Sequence, residues 1–137
     1  MGLSPKEIID KMMAADKMSQ WLGISILSYE PGNVSIKMTV RDEMVNGFDV
    51  AHGGITYSLA DSALAFSANS HGIRSMSIET SISHQKMVKV GDVLTVTSKE
   101  LSLSRKIGVY EMSVFNQVDD LVAHFKGTVY RSSKEWD

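Results

Sequence analysis

Residues 53–69 read GGITYSLADSALAFSAN, a run of small and apolar side chains interrupted by one charge, that of Asp61. Small or apolar residues occupy nearly every side of a helix drawn at this spacing, and Ser70, His71 and Gly72 then end the run. A helix without a polar face must be surrounded by the rest of its protein. The sequence therefore predicts a long, buried central helix over residues 53–69.

The segments that flank this helix alternate apolar and polar residues, which is the period of half-buried strands. Before the helix, residues 24–29 and 34–41 enclose the turn sequence Glu30–Asn33, and this arrangement predicts a β-hairpin. After it come four alternating segments with short links, which favour antiparallel neighbours; they are 75–84, 93–103, 107–116 and 121–131. The predicted fold class is α+β, with a curved antiparallel sheet of about five to six strands wrapped around the central helix.

The start of the chain carries a helix signal. Ser4, Pro5 and Glu7 have the spacing of a capping box with proline at the first helical position, and apolar residues follow at helical intervals. We expect an N-terminal helix within residues 1–20, from Pro5 to about Met18. No linker or repeat divides the 137 residues, so they are expected to form a single domain, 1–137.

Composition excludes several classes of function. The chain has 14 Lys and Arg against 16 Asp and Glu, a net charge of -2, and lacks the basic character of nucleic-acid and anionic-membrane binders. No apolar run approaches the roughly 18 to 20 residues of a membrane span. The absence of cysteine removes disulfides, thiol nucleophiles and Cys-ligated zinc. Without a leader pattern, we expect a cytoplasmic protein with neither nucleic acid nor membrane as partner.

The stretch from residue 44 to residue 73 is nearly empty of charge. It holds only Asp49 and Asp61 among thirty residues, although the overall charged fraction of 22% predicts six or seven. Burying a carboxylate without a partner costs several kcal/mol, so an aspartate on an uncharged helix needs a reason. Asp61 is therefore a candidate functional residue. The alternatives are a solvent edge of the helix or a structural hydrogen-bond network.

The start of the predicted helix is a second candidate site. Gly53 and Gly54 open the helix, where free N–H groups and the positive end of the dipole suit an anion or an oxyanion. Asn46 and His52 supply neutral donors nearby in the sequence. The alternative is a tight loop-to-helix junction, with His52 hydrogen-bonded to a loop carbonyl.

The spacing of the two candidates limits how they can cooperate. Asp61 lies eight residues after Gly53, which is roughly 12 Å along one helix. A carbonyl held by the Gly53 N–H is therefore out of reach of a water bound to Asp61 of the same helix. If both residues act on one bond, they must come from two chains whose helices lie antiparallel across a twofold interface.

Five motifs stand at a distinctive spacing: VNG at 45–47, AHGG at 51–54, SLAD at 58–61, Asn69-Ser70 with Gly72, and GVY at 108–110. Together they resemble the hotdog-fold thioesterases, and within that group the small acyl-CoA hydrolases of phenylacetate degradation. The resemblance covers roughly residues 22–131. It implies a hotdog dimer whose sheets join across the interface, commonly paired again into a homotetramer, with acyl-CoA bound between subunits. It implies no metal and no cofactor beyond the CoA of the substrate.

The resemblance also implies catalytic roles for five residues. The Gly53 N–H, helped by Asn46, would hold the thioester oxygen and stabilise the oxyanion. Asp61 of the neighbouring subunit would act as general base on water or attack as nucleophile. His52 would orient the site near the leaving sulfur. Ser77 would help to position the water, and its alternative is an ordinary strand serine.

Substrate binding is expected from Gly54, Arg105 and Lys106, the last two against the CoA phosphates; a solvated turn is the alternative for both cations. Residues 83–87, SHQKM, depart from the family, which often has an aromatic residue and a proline there, beside the CoA path. His84, like His71 and His124, has no metal-like spacing to a partner and is interpreted as a structural or surface residue.

The leading hypothesis is hydrolysis of an acyl-CoA to the free acid and CoA, with hydroxyphenylacetyl, phenylacetyl or medium-chain acyl groups as candidates. A hotdog hydratase or dehydratase is the second. Such enzymes are expected to pair a histidine in a proline-rich loop with an acidic residue on the helix. Residues 44–54 contain no proline, so this loop fits that pattern less well. A non-catalytic acyl-CoA-binding module is the third. Asp61 argues against it, because a pure binding pocket gains nothing from a buried carboxylate.

Overall fold

The computed structural model describes residues 2–137. The helices and strands of this part of the chain are α1 Pro5–Ala15, α2 Lys17–Leu22, β1 Ser25–Ile26, β2 Ile36–Thr39, α3 Gly53–Asn69, β3 Ile73–His84, β4 Val93–Leu103, β5 Ile107–Phe115 and β6 Leu121–Glu135. The predicted α+β class and the predicted central helix over 53–69 are confirmed.

The six strands form one antiparallel sheet in the order β1-β2-β4-β5-β6-β3. The chain passes from α3 into β3 at one edge of the sheet and then crosses to β4, so that β6 returns between β5 and β3. Near the end of β3, Ser83 lies opposite His124 and His84 opposite Ala123. The sheet curls around α3, which is the hotdog arrangement.

The helix α3 is the centre of the core. Ten of its 17 residues are buried, including Leu59 and Phe66, which are fully inaccessible. Strand β6 passes close to the helix because Gly127 has no side chain. A β-carbon at Gly127 would lie 2.5 Å from Cδ2 of Leu64. The remaining seven residues of α3 form one half-buried or exposed side at helical spacing; they are Gly53, Gly54, Tyr57, Ser58, Asp61, Ser62 and Ala65.

The N-terminal helix predicted from Pro5 to about Met18 is wrong in its extent, because the segment forms two helices. The capping box of Ser4 and Glu7 is present, with the Glu7 N–H donating to Ser4 Oγ at 3.2 Å. Asp16 leaves the helical region, with φ -89° and ψ 89°. Its carboxylate accepts from the N–H of Ser19 at 2.9 Å and from the Ser19 hydroxyl at 2.6 Å, and this cap starts α2.

The predicted hairpin is present but shorter than its alternation suggested. Strand β1 has two residues and pairs with Ile36 and Lys37 of β2. The N–H groups of Leu27 and Ser28 both donate to the carbonyl of Ser35, which interrupts the regular ladder. The other four predicted strands are observed, and β6 extends to Glu135.

Among the helices described for residues 2–137, none combines the length and the apolar character that a bilayer crossing needs.

Candidate active site

The N-terminus of α3 is exposed and carries an unused backbone donor. His52 caps the helix, and its Nδ1 accepts the Gly54 N–H at 2.8 Å. This differs from the loop-carbonyl bond considered from the sequence. The Gly53 N–H has no acceptor within residues 2–137, because the first N–H groups of a helix have no intrahelical partner. With Nδ1 as acceptor, the neutral His52 ring carries its proton on Nε2.

Asn46 holds the loop that leads to this helix. Its Oδ1 accepts the N–H groups of Phe48 at 2.9 Å and of Val50 at 3.3 Å. Its backbone N–H donates to the Val50 carbonyl at 2.8 Å. Because Oδ1 faces the loop N–H groups, Nδ2 points away from them. No acceptor among the described residues receives a hydrogen bond from Nδ2. Asn46 thus fixes the loop and keeps a donor available.

A cleft of about 320 Å³ opens beside the Gly53 N–H. Its lining combines backbone and apolar side chains with polar ones, among them His84 at the end of β3 and Lys86 just after it; the lining residues are Val50, Ala51, Gly53, Thr56 and 84–88. A cleft next to an unused helix N–H can hold a carbonyl oxygen, and its apolar wall can hold the carbon chain attached to it.

Asp61 lies on a different surface, in a shallow groove of about 50 Å³ between α3, β3 and β6. Ser77 of β3 lines the same groove, so the structure brings these two predicted residues together. Asp61 fits neither a fully solvent-exposed helix edge nor a structural hydrogen-bond network. The residue is half-buried, and no hydrogen bond to its carboxylate occurs among residues 2–137.

The environment of Asp61 favours its protonated form. Burial raises the pKa of the Asp61 carboxyl above its ordinary value of 3.8, and the nearby Asp16 carboxylate adds to the rise. Asp16 is held in place by Ser19, whose hydroxyl also lies 2.8 Å from that of Ser62, the residue after Asp61. A carboxylate with a raised pKa is a stronger base once it is ionised, which suits proton abstraction from water.

Gly53 and Asp61 do not meet within one chain. They line separate clefts on a continuous 17-residue helix, eight residues apart. At 1.5 Å per residue their separation along α3 is roughly 12 Å. A single chain therefore places the unused Gly53 N–H in one cleft and the Asp61 carboxyl in another.

Arg105 and Lys106 lie in the exposed turn between β4 and β5 and line a third cleft, of about 120 Å³. Arg131 of β6 joins them there and anchors the turn, since its Nη1 donates to the Ser104 carbonyl at 2.7 Å. The Arg131 Nε is buried without a partner in the described part of the chain. Three cationic side chains around one cleft can hold phosphate groups.

Sequence reasoning missed three residues near these clefts. His84 reaches Gly53 from 31 positions away in the chain, and no local pattern signals that contact. Arg131 reaches the β4–β5 turn only through the pairing of β5 with β6. Asp16 belongs to a residue type that caps helices, but the Glu or Gln three residues later that would strengthen the signal is a serine, Ser19.

Between residues 2 and 137, no three His, Cys, Asp or Glu side chains cluster in a way that could hold a metal ion.

Comparison with known proteins agrees with this architecture. Residues 48–123 match the family model described as the thioesterase superfamily. The acyl-coenzyme A thioesterase PaaI of Escherichia coli K12 is 35% identical over 120 residues, which is 88% of this chain and 86% of that protein. The structure of E. coli PaaI, from the phenylacetic acid degradation operon, superposes with a TM-score of 0.93 and 32% identity, covering 96% of this chain and 95% of that one.

Two further solved structures are similar. A variant of the phenylacetic acid degradation protein PaaI of Thermus thermophilus has a TM-score of 0.82 and 31% identity, covering 85% of this chain and all of that one (100%). A Streptococcus mutans protein bound to acetyl-CoA has a TM-score of 0.80 and 27% identity over 82% of this chain and 91% of that one. This chain therefore belongs to the thioesterase superfamily and is a hotdog-fold thioesterase.

Proposed function

We propose that this protein hydrolyses acyl-CoA to a free acid and CoA. The observation that carries the proposal is the exposed, unused Gly53 N–H at the start of α3, beside a cleft of about 320 Å³. The E. coli relative is named an acyl-coenzyme A thioesterase, and the S. mutans protein holds acetyl-CoA; both support CoA as the thiol half of the substrate.

In the proposed reaction a water oxygen adds to the acyl carbon and the C–S bond breaks. The carbonyl oxygen, negative in the transition state, accepts the Gly53 N–H with support from Asn46. Asp61 takes one proton from the water, and the departing CoA thiolate receives that proton in turn, which gives acid and thiol and returns Asp61 to its ionised form. If Asp61 attacks instead, an anhydride forms and water opens it.

Two neighbours of these groups have supporting roles in the proposal. The His52 Nε2–H, left free by the cap at Nδ1, is directed to the leaving sulfur. The Ser77 hydroxyl orients the water that Asp61 activates, and their shared groove supports this role. A β-carbon at Gly54 would lie 3.0 Å from His52 Nδ1, so glycine at this position lets the His52 ring cap the helix beside the thioester.

We propose that each complete site uses the Asp61 of a second copy. The separation of roughly 12 Å on one helix requires it if both groups act on one bond. Two surfaces support such pairing. The side of α3 that contains Asp61 stays partly uncovered, and the edge strand β3 exposes Met76 to 69% and Ile78 to 59%. Pairing of two such dimers would make the homotetramer that the resemblance implies.

The acyl half of the substrate is proposed to be apolar. Val50, Ala51, Met87 and Val88 line the cleft beside Gly53, and side chains of this kind favour aryl-acetyl or medium-chain groups over charged ones. Hydroxyphenylacetyl-CoA, phenylacetyl-CoA and medium-chain acyl-CoAs are the candidates, and the relatives' assignment to phenylacetic acid degradation favours the first two.

The test of the proposed function is thiol release from a panel of acyl-CoAs, followed with a thiol reagent. The panel contains acetyl, butyryl, octanoyl, phenylacetyl, hydroxyphenylacetyl and succinyl thioesters. We expect saturable release of CoA, with kcat/KM highest for aryl-acetyl or medium-chain groups and lowest for the charged succinyl group. An enoyl-CoA is included, since its hydration without thiol release would support the hydratase alternative. No thiol release from any thioester contradicts the proposal.

Arg105→Ser is expected to weaken binding of the CoA nucleotide. In the proposal the Arg105 guanidinium pairs with phosphate in the cleft that it shares with Lys106 and Arg131. Because such exposed pairs contribute little, KM for acyl-CoA should rise about two- to fivefold with kcat unchanged. The same acyl group on pantetheine, which lacks the nucleotide, should show no change. The matched control is Lys134→Ser, which removes a cation near the end of β6 that does not line the cleft of Arg105. An equal effect on both thioesters would contradict a phosphate contact.

A further inference from the structure

The imidazole of His84 lies against the backbone of Gly53. A β-carbon built on Gly53 would be 3.2 Å from His84 Nε2 and 3.5 Å from Cε1, so the Nε2 corner of the ring is the closest part. His84 is the last residue of β3, and its backbone is fixed by pairing with Ala123 of β6. A rigid strand therefore presents this imidazole at the first residue of α3.

His84 differs from the other three histidines in its hydrogen bonding. His52 accepts from the Gly54 N–H, while His71 and His124 lie within hydrogen-bond distance of Glu100 and Glu111. The His84 ring has no such partner in the range 2–137. The ring lines the cleft together with Gly53 and Thr56. The His84 side chain is exposed, so its ring nitrogens are accessible to a ligand in the cleft.

An oxyanion in acyl transfer is normally held by more than one donor, and each donor contributes strongly because the charge develops on one atom. The Gly53 N–H is one such donor in the proposed function. In the proposed function Asn46 supports that donor from the loop, with its Nδ2 left unused by the bonds to Oδ1, and the His84 Nε2 corner approaches the same glycine from β3. Gly53 and His84 line the same cleft, so an oxygen that accepts the Gly53 N–H inside this cleft is near the His84 ring.

We propose that His84 is a further catalytic residue, whose Nε2–H donates an additional hydrogen bond to the thioester oxygen as it becomes negative. The inference rests on the proposed function and deepens it. No covalent bond to His84 is involved, and either the neutral ring protonated on Nε2 or the imidazolium can donate. His84 assists the transition state more than the ground state, since the oxygen carries more charge there.

His84→Phe tests the proposal, because phenylalanine keeps a flat ring on Gly53 and removes both nitrogens. We expect kcat to fall about 10- to 100-fold, the loss of one hydrogen bond to a charged group, with KM nearly unchanged. His84→Gln keeps an N–H close to the Nε2 position and should recover much of the lost rate. A role in packing alone would predict the opposite order, since Gln lacks the ring.

His124→Phe is the matched control. His124 lies opposite Ser83, so its side chain projects from the other face of the sheet than His84. The His124→Phe variant should have the activity of the wild type. Thermal melting of His84→Phe, His84→Gln and His124→Phe should show that each variant is folded. An unchanged kcat in His84→Phe, a change confined to KM, or no recovery in His84→Gln overturns the inference while the proposed function stands. A wild-type protein without thioesterase activity overturns both.

Discussion

Asp61→Asn is expected to lower kcat for acyl-CoA hydrolysis about 10²- to 10⁴-fold, the range for loss of a general base. Asparagine has the size of aspartate but can neither take a proton from water nor attack the acyl carbon. CoA binding should be unaffected, because the cationic cleft of Arg105, Lys106 and Arg131 is separate from the Asp61 groove. Initial rates of thiol release and the binding of CoA by calorimetry measure the two effects.

Asp49→Asn is the matched control for this variant. Asp49 is the other charged residue of the stretch 44–73, it is exposed, and its φ of 58° lies in a region that asparagine adopts readily. Its kcat should match the wild type. Wild-type kcat in Asp61→Asn would show that the carboxylate is not part of the chemistry.

The raised pKa of Asp61 predicts two pH dependences. The rate should fall on the acid side with a midpoint above 3.8, because the protonated carboxyl is neither base nor nucleophile. Stability changes in the opposite sense. A carboxyl whose pKa is higher in the folded state than in the unfolded state binds its proton more tightly when folded, so it lowers stability as pH rises through that window. Asp61→Asn should therefore be at least as stable as the wild type at neutral pH, with no such gain below the ordinary aspartate pKa.

The central helix and its one carboxylate were predictable because the signal is local and strong. A run of seventeen mostly small and apolar residues with one charge is best buried as an inner helix, and α3 has the predicted bounds. Strand β4 was predicted with the same success, since its alternation is flanked by clear turns. The break at Asp16 was missed because helix-forming residues continue on both sides, and a side-chain cap outweighed their propensity.

The contacts that join the site could not be predicted in the same way. His84 meets Gly53 because β3 runs back along α3, and Arg131 meets the Arg105 turn because β6 pairs with β5, so both contacts arise only in the folded chain. The cap formed by His52 on Gly54 depends on one rotamer. The residue types indicated which chemistry was possible, whereas the packing of strands and helix determines which of these groups meet.

Gly53→Pro is expected to lower kcat about 10²- to 10³-fold by removing a single N–H, the proposed oxyanion donor. Gly53 is the first helical residue, where proline is well tolerated. The preceding His52, with φ -57° and ψ 137°, already has the conformation that a residue before proline adopts. Gly53→Ala is the matched control, because it adds the same β-carbon against His84 but keeps the N–H. The decrease in kcat should be much smaller in Gly53→Ala than in Gly53→Pro. Equal losses in the two variants would mean that crowding, not the donor, matters.

Together, Gly53→Pro and Asp61→Asn test whether each site is shared between two chains. If it is, co-expression of the two inactive variants yields hybrid dimers in which one site has both an intact Gly53 and an intact Asp61. Random pairing then restores about a quarter of the wild-type activity. Co-expression of wild type with a chain carrying both changes should also leave about a quarter, since every hybrid site is then damaged. A site built within one chain predicts no recovery in the first mixture and about half of the wild-type activity in the second. The two mixtures together therefore distinguish the arrangements whatever the number of dimers in the assembly.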